Sequence, residues 1–121
     1  MLQGALIVES IRPGTSLDDL NLIVRQITRH APDGTTDEQP PIWTDIYFEV
    51  DEKDAGDLAQ KLADVLDARG WYADFRSDTE TIVVYRGKIF RYPRGDAAGR
   101  ADAVAHGRVQ GVPDHQLDWP V

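Results

Sequence analysis

The chain has no cysteine and one methionine, so it can form no disulfide, no thiolate metal site and no cysteine nucleophile. No apolar run approaches the ~18 residues that suggest a membrane span. Positive charge is also scarce: 13 Lys and Arg stand against 21 Asp and Glu, a net charge of −8 over 121 residues. Nucleic-acid binding draws on counterion release at a positive surface, so this balance disfavours a nucleic-acid partner. Gly-rich phosphate loops, nucleophile elbows and metal-type histidine pairs are absent. The three histidines, His30, His106 and His115, fall in three segments, a spacing that announces no metal site. Neither a metal nor a cofactor is expected.

What remains is an apolar fraction of 41% in a length that suits one domain with a single core. Residues Met1 to Glu9 carry no basic leader, and their apolar run is cut at Glu9, which predicts a cytoplasmic protein. Residues 5–11 read as a first strand stopped at Pro13-Gly14. The segment after it is ambiguous. Leu17, Leu20, Val24, Ile27 and Ala31 lie at helical spacing behind a Ser16/Asp19 capping pattern, but Leu20, Leu22 and Val24 alternate and the stretch is β-branched. The balance favours a strand over 21–29, with a helix as the alternative.

Residues 42–50 alternate as a strand, with Trp43, Asp45, Tyr47 and Glu49 on one face and Ile46, Phe48 and Val50 on the expected core face. A helix over 52–69, capped by Asp51 and stopped by Gly70, carries the apolar stripe Ala55, Leu58, Ala59, Leu62, Val65 and Leu66. Residues 71–75 read as a strand. A hairpin follows, 81–85 with 89–92; a Gly87-Lys88 turn would place Tyr85 opposite Phe90. Asp96 caps a last helix to about Gln110, with Ala101, Val104, Ala105 and Val109 facing inward, and Leu117 and Trp119 should dock the tail, 112–121. The prediction is one α+β domain over 1–121, a mainly antiparallel sheet of five or six strands in the order β-β-β-α-β-β-β-α, with helices on one side.

Charge is distributed unevenly. Residues 45–67 hold Asp45, Glu49, Asp51, Glu52, Asp54, Asp57, Asp64 and Asp67 against two lysines, while residues 76–100 are rich in arginine. An acidic face steers a basic partner, so Asp45, Glu49, Asp54, Asp57 and Asp64 are the candidate partner-binding residues. Asp74 and Arg76 flank Phe75 on one side of their strand, which suits a structural ion pair. A candidate ligand pocket would combine Arg86 or Arg91 of the hairpin with His115, which lies between Asp114 and Asp118.

The cadence of Pro40-Pro41-Ile42-Trp43-Thr44, Gly70-Trp71-Tyr72-Ala73-Asp74-Phe75 and Gln116-Leu117-Asp118-Trp119 resembles that of small bacterial proteins of unassigned function. The resemblance implies a compact domain and no activity. With no catalytic constellation in view, the expected function is a non-enzymatic acidic module that neutralises or regulates a basic partner protein, as toxin-immunity proteins do. The alternative is a small-molecule-binding domain or small enzyme with its pocket near the hairpin. Homo-oligomerisation is compatible with either.

Overall fold

Six strands pair into one antiparallel sheet in a computed structural model that describes residues 1–121. In chain order the elements are β1 (Leu2–Ile7), β2 (Leu22–His30), β3 (Trp43–Val50), α1 (Glu52–Val65), β4 (Ala73–Arg76), β5 (Glu80–Tyr85), β6 (Lys88–Pro93) and α2 (Ala97–Val109). The spatial order is β2-β3-β1-β4-β5-β6. β3 and β4 are each antiparallel to β1, which lies between them. They therefore run parallel to each other, and α1 is the crossover of a split β-α-β unit. The architecture is α+β, as the order of elements predicts.

α1 buries Ala55, Leu58, Ala59, Leu62, Val65 and Leu66, the stripe expected from its spacing. It packs on the sheet face made by Leu2, Leu6, Phe48, Val50, Phe75, Ile82 and Val84. The helices are not on one side, however. Val83, Tyr85 and Tyr92 point the opposite way along β5 and β6, and there they are covered by α2 and by Val112, Leu117 and Trp119 of the tail. Period-two alternation in the hairpin, apolar on both faces, is the physical reason: each face needs its own cover.

The ambiguous second segment is a strand, as its β-branched content favours, but an edge strand with mostly exposed side chains. The capping pattern before it is unused, because Ser16 Oγ donates to the Asp18 carboxylate at 2.8 Å and Asp19 adopts φ 55. Other boundaries move. β1 runs over 2–7, and the chain then tightens into a 3-10 turn, Val8–Ser10. α1 ends at Val65, short of Arg69, because Leu66 turns extended and bridges Ile11, while the Asp67 and Arg12 amides donate to Ser10 and Val65 carbonyls. β4 starts at Ala73, two residues later than expected.

The hairpin turn is Arg86-Gly87, so Tyr85 faces Lys88 and Val83 faces Phe90. Gly87 takes the left-handed conformation, φ 71, and its amide donates to the Ala63 carbonyl at 2.9 Å. A two-residue slip leaves each side chain on its original face. In α2 the inward residues are Ala103 and Gly107, with Val104, as expected, partly buried against the same cluster, whereas Ala101, Ala105 and Val109 face solvent; Val109 is 77% exposed. Close approach decides this. A Cβ on Gly107 would lie 2.6 Å from both Leu117 Cδ2 and Tyr85 Oη, and one on Gly99 would lie 2.8 Å from Tyr92 Cβ.

Candidate functional site

α2 and the tail cover β5 and β6 but leave the β2-β3-β1-β4 part of the same face open. Register sets the floor of that open half. Tyr47, Ala5 and Asp74 form one row across β3, β1 and β4, and Glu49, Gln3 and Arg76 form the next. Ala5 projects only a methyl between Tyr47 and Asp74, so the middle of the row is low. At one end the floor deepens into a cleft of about 270 Å³ between Pro32-Asp33 and the tail residues His115, Gln116 and Asp118. A more open depression over Gln3, Arg25, Tyr47, Glu49 and Arg76 adjoins it, and Ala5 and Asp74 belong to both.

Aromatic side chains make the cleft wall. Trp43 stacks obliquely on Trp71 with ring centroids 5.1 Å apart, and its indole nitrogen donates to the Pro40 carbonyl at 2.9 Å. Both indoles are buried. Tyr72 is wedged against Tyr85 and Trp119, with centroids at 5.9 and 5.2 Å, and its hydroxyl donates to the Gln116 carbonyl. Burial and the neighbouring Asp74 and Asp118 push that phenol far above its usual range.

The polar lining is acidic. Asp33, Asp45, Asp74 and Asp118 face the cleft, with His115 as the one basic group among the lining residues. Asp45 is 9% exposed; its Oδ2 meets His30 Nε2 at 2.8 Å, and its Oδ1 has no hydrogen-bond partner. Asp74 holds Arg76 at 3.1 Å, yet burial pushes its carboxyl up to about 6, against the lowering effect of Arg76 and with help from Asp118. The adjoining depression is charge-balanced, since Arg25 pairs with Glu49 at 2.7 Å.

The acids singled out in the sequence divide between two surfaces. Asp45 and Glu49 lie on the open face, Asp45 in the cleft and Glu49 in the depression. Asp54, Asp57 and Asp64 sit on α1, across the sheet, where Asp57 pairs with Lys61 at 2.9 Å and Asp64 accepts from Gln60 at 3.1 Å. The hairpin candidates do not converge either. Arg86 is exposed at the turn, Arg91 makes a two-pronged bond to Glu80 at 2.8 Å, and His115 meets the Gly34 carbonyl at 3.0 Å from the tail. Neither flanking acid orients His115, because Asp114 pairs with Arg108 at 2.9 Å and Asp118 sits near Tyr72.

Sequence reasoning passed over Asp33 as a site residue, took Asp118 only as a flank of His115, and read Asp74 only as a partner for Arg76. The one available signal was an acid beside an aromatic, in Tyr72-Ala73-Asp74 and Asp118-Trp119. No group of three His, Asp or Glu side chains is placed to hold a metal ion, and no helix is long and apolar enough to cross a membrane. Compared with known proteins, the chain is matched by no family model, no curated protein and no solved structure.

Proposed function

We propose that the protein is a non-enzymatic binding module that docks a basic partner protein on the open half of its sheet and neutralises or regulates it, in the manner of an immunity protein. The observation that carries this reading is the cleft itself: four carboxylates and three aromatic rings around a single histidine. Its volume is about 270 Å³, enough to admit a protruding side chain of a partner. The net charge of −8 adds long-range steering of a cationic protein.

The test is affinity capture from the organism's own lysate with two charge-reversed variants. Asp33→Lys/Asp118→Lys alters exposed residues on the cleft rim, and Asp57→Lys/Asp64→Lys alters exposed residues on α1. A basic protein should be captured in a salt-sensitive manner, lost with the rim variant and kept with the α1 variant. Loss only with the α1 variant would place the interface on the helix and reject the open sheet face. Capture that ignores both pairs would reject an acidic docking surface altogether.

A further inference from the structure

We propose that β2 pairs with β2 of a second copy of this chain, antiparallel about a two-fold axis at Val24, and so joins the two sheets edge to edge. The axis stands perpendicular to the sheet, and the acidic cleft stays open in both copies. The pairing is therefore separate from whatever docks on that face.

β2 is the longest strand and lies at the edge of the sheet. Its inner backbone groups bond to β3, and no other segment of the chain bonds to its outer ones. An antiparallel copy complements such an edge, because each strand supplies the donors and acceptors that the other lacks. Side chains add apolar surface to the same edge. Residues opposite each other across a strand pair share a face, so Leu22, Val24 and Ile27 stand on the α1 side with Val50, Phe48 and Ile46. α1 packs on Phe48 and Val50 but leaves Val24 52% and Ile27 62% exposed.

Charge identifies the second copy as the occupant. At net charge −8 two copies repel at a distance, so only a contact matched at close range holds them. The stretch from 18 to 30 opens on Asp18 and Asp19 and closes on Arg29 and His30, all four exposed. Lys61 meets the carbonyls of the two acids, not their carboxylates. Near Arg29 the acid is Glu9, which Thr44 already engages through its amide and hydroxyl. Antiparallel pairing sets the acids of each copy against the bases of the other, at both ends of the contact; parallel pairing would set like against like.

The position of the axis follows from the same charges. Centred on the bulge, the pairing would bring Arg25 against Arg25. Centred on Ile27, it would carry Asp18 and Asp19 past the bases. Centred on Val24, it sets Leu22 against Ile27 of the second copy and Ile23 against the Arg25-Gln26 bulge, while Leu20 and Asp19 fall beside Arg29 and His30. The other sheet edge cannot repeat the contact, since β6 ends in Pro93 and presents Lys88 and Arg91. The assembly is a closed pair, not a fibre.

Sedimentation velocity of the full chain over a concentration series should show a monomer–dimer equilibrium. Arg29→Asp should weaken it by about tenfold or more, and Asp18→Arg/Asp19→Arg should do the same; the three changes together should restore it to within a few-fold. Because the chain has no cysteine, single cysteines read the register. Val24→Cys sets two thiols directly opposite, with Cα atoms ~4.5–5.5 Å apart and within disulfide range, and should link under oxidised glutathione. Ile27→Cys sets them roughly 13 Å apart along the strands and should not. Every substituted side chain is exposed, and the amide spectrum of each variant checks that the fold is kept. A chain that stays monomeric up to about 1 mM overturns the proposal. So does a dimer indifferent to Arg29, Asp18 and Asp19, or one that links as readily through Ile27→Cys as through Val24→Cys.

Discussion

The Trp119 indole nitrogen donates to the Tyr92 hydroxyl at 2.7 Å, and both rings are buried. Arg100 of α2 lies over the same indole, 5.1 Å from its ring, and donates to the Trp119 and Leu117 carbonyls at 3.1 and 3.3 Å. The tail is thus a structural strap that holds Tyr72 and the cleft wall in position. Trp119→Ala should lose ~3–5 kcal/mol of stability through the cavity it opens. Trp119→Phe keeps much of the packing but withdraws the indole N–H, and should lose ~1–3 kcal/mol. Urea denaturation reads both, and a phenylalanine variant as stable as the parent would rule out a contribution from the hydrogen bond.

Two glycines in helices should respond oppositely to alanine. In α1, a Cβ on Gly56 has nothing nearer than Arg91 Nη1 at 3.9 Å, so Gly56→Ala should stabilise by ~0.5–1 kcal/mol through helix propensity. In α2, Gly107→Ala gains the same propensity but meets Leu117 and Tyr85 at 2.6 Å, and overpacking should win by ~1–3 kcal/mol. Thermal melts of the two variants should move in opposite directions. A more stable Gly107→Ala would mean that α2 can lift from the sheet without loss.

Those glycines also mark where the sequence was readable. α1 was legible because its stripe is apolar in the ordinary way, and Ala55, Leu58, Ala59, Leu62, Val65 and Leu66 are all buried. α2 misled because packing selected for small size: Gly99, Ala103 and Gly107 face the sheet while Val109 faces water. The cleft was illegible for a different reason. Asp33, Asp45, Asp74 and Asp118 come from four separate segments, and only the sheet order that sets β3 and β4 on either side of β1 brings them together. Alternation along β3 did place Asp45 beside Trp43 and Tyr47 on one face, but register and strand order are long-range properties that no local pattern encodes.

The edge strand β2 exposes Ile23, Val24 and Ile27, the last at 62%. A bulge between Val24 and Gln26, with Arg25 and Arg29 beside it, twists and charges that edge. Arg25→Val should therefore increase self-association, whereas Ile27→Lys should reduce any that exists. Both should leave stability within ~0.5 kcal/mol, as surface substitutions usually do. Sedimentation velocity over a concentration series makes the comparison; identical profiles for the two variants would show that this edge takes no part in association.

Asp74 gives the most demanding prediction, because it links stability to pH through one proton. Burial raises its folded pKa from 3.8 to about 6, so the folded protein holds this proton more tightly than the unfolded chain does. The stability so gained is complete below pH ~4 and is lost as pH rises through 6, a fall of up to ~3 kcal/mol at neutral pH. Asp74→Asn carries no such proton. It should match the parent near pH 4 and exceed it by ~1–3 kcal/mol at pH 7, when the two are compared by denaturation at each pH. Arg76, Asp118, Tyr72 and Tyr85 face the same carboxyl, and all four are unchanged in the variant, so the difference between the two proteins isolates Asp74. A parent no less stable than Asp74→Asn at pH 7 would mean that Arg76 offsets the burial of the carboxylate.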